Sequence, residues 1–187
     1  MYKPALRTAL LVLVAHSPTF VNPARADGWS ITPFAGGAFE QRRRGGIDDS
    51  AVAVGIAGGY GWSQSASVEG ELTYIPDLFR DHGRRSILNV SSVFLYDLRS
   101  TGWQPFLAAG VGFGQTRFTP PEIQPPPRFV NPPLRGPSIS LGGGVKIPLR
   151  RRAELRTDVR YVAIRDVPDD IRDFWRFSGG LTFVLSP

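Results

Sequence analysis

The feature that most constrains this chain is a two-residue alternation of side-chain character, which returns along almost the whole sequence after residue 26. In residues 51–62, bulky apolar side chains occupy nearly every second position from Val52 to Trp62, and only Ala and Gly lie between them. A period of two places neighbouring side chains on opposite faces of a β-strand, so the pattern predicts a strand with one bulky and one nearly bare face. The candidate strands are 29–40, 51–62, 67–74, 88–97, 104–118, 138–149, 154–163 and 175–185. The chain is therefore expected to be all-β.

The candidate strands are long, and the connections between them alternate in length. Most strands run to about ten residues, against roughly five or six in soluble sheets and roughly 9–11 for a tilted strand that crosses a membrane. Long connections (41–50, 76–85, 119–137, 165–173) alternate with short ones (63–65, 99–103, 150–152). This is typical of membrane barrels with long outer loops and short periplasmic turns. Because a sheet in hydrocarbon has to close, we predict an eight-stranded antiparallel up-and-down transmembrane β-barrel. A soluble barrel with its apolar face turned inward is the alternative.

The N-terminus has the three parts of a secretory signal peptide. Lys3 and Arg7 precede the apolar run ALLVLVA at 9–15, and Ala24-Arg25-Ala26 fits a small-x-small cleavage site. The run is shorter than the roughly 20 residues that an anchor helix needs. We therefore expect residues 1–26 to be a cleaved signal peptide and residues 27–187 to be the barrel domain.

The charge of the remaining chain argues against a nucleic-acid partner. Three of the 22 basic residues and none of the 16 acidic ones lie in residues 1–26, so the remainder carries a net charge of +3. A secreted domain with nearly balanced charge is a poor candidate for binding nucleic acid. The sequence has no Cys, which excludes disulfides and Cys-based metal sites.

The face opposite the bulky one combines small residues with charges. An eight-stranded barrel is just wide enough for side chains to fill it, so these residues are expected to line the interior. Buried charges are tolerated when they are paired, and we predict an interior salt-bridge network that leaves no wide pore. Its candidate members are Glu69, Glu71, Lys146, Glu154, Arg156, Asp158 and Arg160. Aromatic residues near the strand ends are expected to form the two interfacial girdles of a membrane barrel: Trp29, Tyr60, Trp62, Tyr74, Trp103 and Trp175.

Four segments resemble the outer membrane protein β-barrel domain family, the OmpA/OmpX-like group of small barrels. They are QPFLAAGVGFG (104–114), SLGGGVKIPL (140–149), AELRTDVRYV (153–162) and FSGGLTFVL (177–185). The resemblance implies a location in the bacterial outer membrane, contact with its lipids, and insertion by the barrel-assembly machinery. Such barrels often end on an aromatic residue, whereas this sequence ends Leu185-Ser186-Pro187.

Basic residues cluster in two of the expected outer loops. Arg42, Arg43 and Arg44 lie in the first loop, and Arg80, Arg84 and Arg85 lie in the second. Arginine binds phosphate well, so contacts with lipopolysaccharide or with a surface partner are one interpretation, and solvated loop charges are the other. The Pro-rich segment 119–137 is expected to be stiff and extended, as a recognition loop or as a simple linker.

Residues for catalysis are scarce. The two histidines are His16, in the signal peptide, and His82, which is followed by Gly83 and Arg84 rather than by the His-x-Ser pattern of lipid A deacylase barrels. No loop has the spacing of a calcium site. We expect no catalytic residue, metal or cofactor, and a structural or surface-interaction barrel. A narrow porin-like channel for small solutes is the alternative, followed by an enzyme that modifies lipid A.

Overall fold

The computed structural model describes residues 28–41, 47–78, 84–99, 101–119, 133–150, 152–166 and 170–185. They form eight strands: β1 (Gly28–Gln41), β2 (Ile47–Gly61), β3 (Ala66–Leu78), β4 (Arg84–Asp97), β5 (Gln104–Thr119), β6 (Leu134–Arg150), β7 (Ala153–Asp166) and β8 (Asp170–Val184). The expected signal peptide, residues 1–26, lies outside the described residues. None of the described residues belongs to a helix long and apolar enough to cross a membrane.

Each strand pairs antiparallel with the next, and β8 returns to β1 to close the barrel. The prediction of an eight-stranded antiparallel up-and-down barrel is confirmed. The end that carries Gly28, Val184 and the connections 62–65, 98–103 and 151–152 is called the lower end. The end that carries the connections 42–46, 79–83, 120–133 and 167–169 is called the upper end.

The strands extend further toward the upper end than the sequence predicted. Much of the expected loops 41–50, 76–85 and 165–173 is strand, and only the connection at 120–133 remains long. The backbone ladder continues there through polar residues, with Glu40 opposite Asp49 and Asp166 opposite Asp170. Alternation of apolar and polar residues does not detect such segments, because most of their residues are polar and only single apolar residues interrupt them.

This extension corrects the placement of Arg84 and Arg85 in an outer loop. Both belong to β4, where their backbone partners on β5 are Thr119 and Phe118. The sequence predicts a loop at these two positions because the apolar alternation of this strand begins only at Leu88.

The two faces of the sheet are divided as predicted, with the apolar face outward. The large apolar side chains of the outer face are exposed on all eight strands, from Trp29 on β1 to Phe183 on β8. The expected girdle residues are all exposed, and two outer pairs lie near the lower end: Trp29 with Tyr60 and Trp62 with Phe94.

The interior is close-packed because small residues alternate with large ones. At Gly112, Gly142 and Gly144 an added Cβ would overlap backbone atoms of the neighbouring strand. Near the upper end the interior is largely apolar, and this upper apolar cluster consists of Ala38, Ala53, Ile75, Ile87, Val162, Ile164 and Phe174. Three buried polar side chains adjoin it, Thr116 and the hydrogen-bonded pair Ser138 and Asn89. A second apolar cluster lies on β4 and β5: Val93, Leu95, Phe106 and Ala108.

Candidate functional site in the barrel interior

Six charged side chains from β3, β7 and β8 meet in the lumen and are called the central network. Its members are Glu69, Glu71, Arg156, Asp158, Arg160 and Arg176. Three are cationic, three are anionic and all are buried, so the network is neutral as a whole. Buried charges that are paired and hydrogen-bonded avoid most of the cost of an isolated buried charge.

Arg156 on β7 spans the lumen to Glu69 on β3. Its Nη1 donates to both carboxylate oxygens of Glu69, at 2.8 and 2.7 Å, and its Nη2 donates to Asp158 Oδ2 at 3.3 Å. β3 and β7 lie on opposite sides of the closed barrel. This contact therefore crosses the space that a pore would occupy.

Glu71 is the carboxylate on which two arginines converge. Arg160 Nη1 donates to Glu71 Oε2 at 2.8 Å, and Arg176 Nη1 donates to Oε1 at 2.5 Å. The hydroxyl of Thr73 lies 2.9 Å from Glu71 Oε1 and 2.7 Å from Arg176 Nη1, so it can accept from the arginine and donate to the carboxylate. Charge-assisted bonds of this kind are about twice as strong as neutral ones.

Asp158 connects the remaining members. It accepts from Arg160 Nη2 at 3.0 Å and from the hydroxyl of Ser178 at 2.6 Å, and its Oδ1 lies 3.7 Å from Arg176 Nη2. With the bond from Arg156, Asp158 contacts all three arginines of the network. The loss of one member would therefore affect the others.

Aromatic rings cover the cationic groups. The guanidinium carbon of Arg156 lies 4.9 Å from the centroid of the Phe106 ring, and Lys146 Nζ lies 5.1 Å from the same ring. Arg176 lies 4.8 Å from the Phe34 ring. Cation–π contacts of this type are favourable, particularly where water is excluded.

Further polar contacts fill the lower part of the lumen. Lys146 Nζ donates to Asp97 Oδ1 at 2.5 Å, and the hydroxyls of Thr32 and Thr182 are 2.9 Å apart. Glu154 is also buried here, opposite Thr182 in the ladder between β7 and β8. A cavity of about 10 Å³ lies beside Glu71, Arg156 and Asp158, which is at the lower limit of the space that can hold one water molecule.

The structure places all seven side chains of the predicted interior set inside the barrel and brings five of them together in the central network. Lys146 pairs instead with Asp97, which was not singled out from the sequence. Arg176 was also not singled out, although it contacts both Glu71 and Asp158. Both residues occupy polar positions in alternating strands, and this signal was present in the sequence.

The predicted outer-loop contacts are placed only in part. Arg42, Arg43, Arg44 and Arg80 lie outside the described residues, and Arg84 and Arg85 lie in β4. Within the described ranges, no group of His, Asp or Glu side chains is arranged to hold a metal ion.

A closed eight-stranded up-and-down barrel with an apolar outer face and a filled, ion-paired lumen defines the class of small outer membrane β-barrels by fold. The crystal structure of Neisserial surface protein A (NspA) matches with a TM-score of 0.67 at 13% identity, covering 83% of this chain and 96% of that chain. OprG from Pseudomonas aeruginosa matches with a TM-score of 0.57 at 14% identity, covering 89% and 100%. The N-terminal barrel of Pseudomonas aeruginosa OprF matches with a TM-score of 0.53 at 14% identity, covering 86% and 98%.

These similarities confirm the small-barrel fold that the sequence predicted. No protein-family model and no curated protein sequence matches this chain.

Proposed function

We propose that this chain is an integral outer membrane barrel that conducts no solute and acts through its lipid-facing and outward surfaces. The observation that carries the proposal is the filled lumen, which the central network crosses and the upper apolar cluster closes. An ion on this path has to break buried ion pairs and then pass fully buried Ile75 and Ile87 without its hydration shell, which is costly.

The dimensions of the outer face support insertion in a membrane. On β6, the outward positions from Ile139 to Leu149 are all apolar or Gly. These positions span ten residue-to-residue steps of about 3.3 Å each. In a strand tilted by about 40° from the barrel axis, they cover about 25 Å along that axis, which equals the height of the apolar band of outer membrane barrels. Soluble monomers rarely expose a continuous apolar surface of this extent. The lower end, where β1 begins and β8 ends, faces the periplasm in this proposal.

Planar-bilayer recording tests the closed lumen. Insertion is first established by membrane fractionation and by a heat-modifiable shift in gel mobility of the same preparation. We expect no steady unitary current steps from the inserted barrel, because ion-paired side chains cross the lumen and buried apolar side chains pack above them. Steady open-channel steps from a pure, inserted barrel would contradict the proposal and favour the narrow channel.

We also propose that the barrel has no catalytic role. The carboxylates of the central network are held by arginines across the lumen, and the cavity that the described residues form beside them, about 10 Å³, is too small for a substrate. His82 lies outside the described residues. Incubation of lipid A with the purified barrel, followed by mass spectrometry, tests this statement. A deacylated or acylated product that disappears in His82→Ala would assign the barrel to the lipid-modifying enzymes.

A further inference from the structure

The upper part of the outer face carries a pair of arginines on neighbouring strands. Arg117 on β5 and Arg135 on β6 are both exposed, and Gln115, directly opposite Arg135 in the ladder, accepts a bond of 3.0 Å from Arg135 Nε. Arg117 follows Gln115 by two positions, so it lies on the same face and diagonal to Arg135. Within the described residues, no carboxylate forms an ion pair with either arginine. The described residues therefore place two exposed cationic side chains side by side here, one of which, Arg135, is held at its Nε by Gln115.

The most exposed apolar side chains of the barrel wall lie directly below this pair. Phe113 and Val111 on β5 are 70% and 65% exposed, and Leu141 and Ile139 on β6 are 67% and 62% exposed. Val111 is opposite Ile139 in the ladder, and Phe113 is two positions from Gln115 on the same face. Small outward residues border them, Ala109 opposite Leu141 and Gly143 beyond it. Phe113, Val111, Ile139 and Leu141 thus form an exposed apolar surface directly below the two arginines.

We propose that Gln115, Arg117 and Arg135 bind the phosphorylated headgroup of an outer-leaflet glycolipid, with its acyl chains lying over Val111, Phe113, Ile139 and Leu141. The site rests on the proposed function, because it requires the barrel to span the membrane with its upper end outward. Lipopolysaccharide has the required chemistry, since its lipid A part carries phosphates directly above several acyl chains. Arginine pairs with phosphate in bidentate fashion, and the amide of Gln115 both orients Arg135 and can donate to a sugar hydroxyl.

The arrangement favours a lipid over other occupants of the same face. A second barrel docked symmetrically here would place Arg117 and Arg135 near their own copies, and like charges at close range are unfavourable. A free anion would use the arginines but not the exposed apolar side chains below them. A phosphorylated glycolipid is complementary to both parts at once.

The experiment counts lipid A bound to the barrel by native mass spectrometry, as lipid A is titrated into the protein in non-ionic detergent micelles. The test variant is Arg117→Gln with Arg135→Gln. The matched control is Arg99→Gln with Arg150→Gln, which removes the same charge from exposed arginines at the lower end. We expect the test variant to bind lipid A about tenfold more weakly and the control to bind as the unaltered barrel does. We also expect dephosphorylated lipid A to bind the unaltered barrel about tenfold more weakly.

Equal binding by the test and control variants, or equal binding of the two lipids, would overturn the proposed site. Competition by inorganic phosphate at millimolar concentration would assign the arginines to a free anion, and a lipid-independent dimer lost in the test variant would assign them to a second copy. Either result would also overturn the lipid site. The heat-modifiable gel shift of each variant is measured in parallel. A barrel that inserts but does not discriminate between the lipids refutes this inference alone, whereas one that does not insert refutes the proposed function as well.

Discussion

Glu71 is the single residue whose removal should disturb the lumen most, because it neutralises both Arg160 and Arg176. Replacing one partner of a buried ion pair with an apolar residue leaves an uncompensated charge and typically costs about 3–5 kcal/mol. We expect Glu71→Ala to lower the free energy of unfolding by this amount, measured by urea titration in lipid vesicles with the gel shift as readout. Ser92→Ala, on the exposed face of β4, is the control and should stay within about 0.5 kcal/mol. A Glu71→Ala barrel as stable as the control would show that the network does not stabilise the fold.

The sequence predicted which residues are interior more successfully than it predicted their partners. Alternation assigns Glu69, Glu71 and Arg156 to the inner face, since a residue's face depends only on local periodicity. Pairing across the lumen depends on the register and stagger of strands far apart in sequence, as between Arg156 and Glu69. Such a contact has no local signature, and for the same reason Arg176 and Asp97 were not recognised as members of ion pairs.

At the scale of the strands, inward glycines allow β6 to approach β7. A Cβ added to Gly144 would overlap the carbonyl oxygen of Thr157 and would come within 2.8 Å of the Phe106 ring. A Cβ added to Gly179, exposed on the outer face of β8, would meet nothing within 4 Å. We expect Gly144→Ala to destabilise the barrel by about 1–3 kcal/mol through overpacking. Gly179→Ala should change the stability by less than about 0.5 kcal/mol in the same urea titration. Equal effects of the two substitutions on stability would mean that the inner face of β6 can accommodate an additional methyl group.

The strands also show where sequence reasoning stops. The positions of β2 and β6 could be predicted from their apolar alternation, because each strand has one bulky outer face and this pattern is a local property of the sequence. The upper segments of β2 and β8, beginning at Ile47 and Asp170, were expected to be loops. They are strands because the ladder supplies their backbone hydrogen bonds whatever their side chains are, and a hydropathy pattern does not report backbone pairing.

At the scale of the whole molecule, the charged side chains form two groups, buried and exposed, which should respond differently to salt. The central network is buried in the lumen, whereas Arg117 and Arg135 are exposed on the rim. Raising NaCl from about 0.1 M to about 1 M shortens the Debye length from about 10 Å to about 3 Å, which screens exposed charges and leaves buried pairs nearly unaffected.

We therefore expect the free energy of unfolding to change by less than about 1 kcal/mol over this range, while lipid A binding weakens severalfold. The two quantities are measured on one preparation, by urea titration and by native mass spectrometry after rapid exchange into a volatile salt series. Arg117→Gln with Arg135→Gln should remove most of the salt dependence of binding and leave that of unfolding unchanged. If salt instead weakened folding and binding together, the ion pairs that close the lumen would have to be accessible to solvent. That result would contradict the proposal that the lumen is closed, whether or not Arg117 and Arg135 bind lipid A.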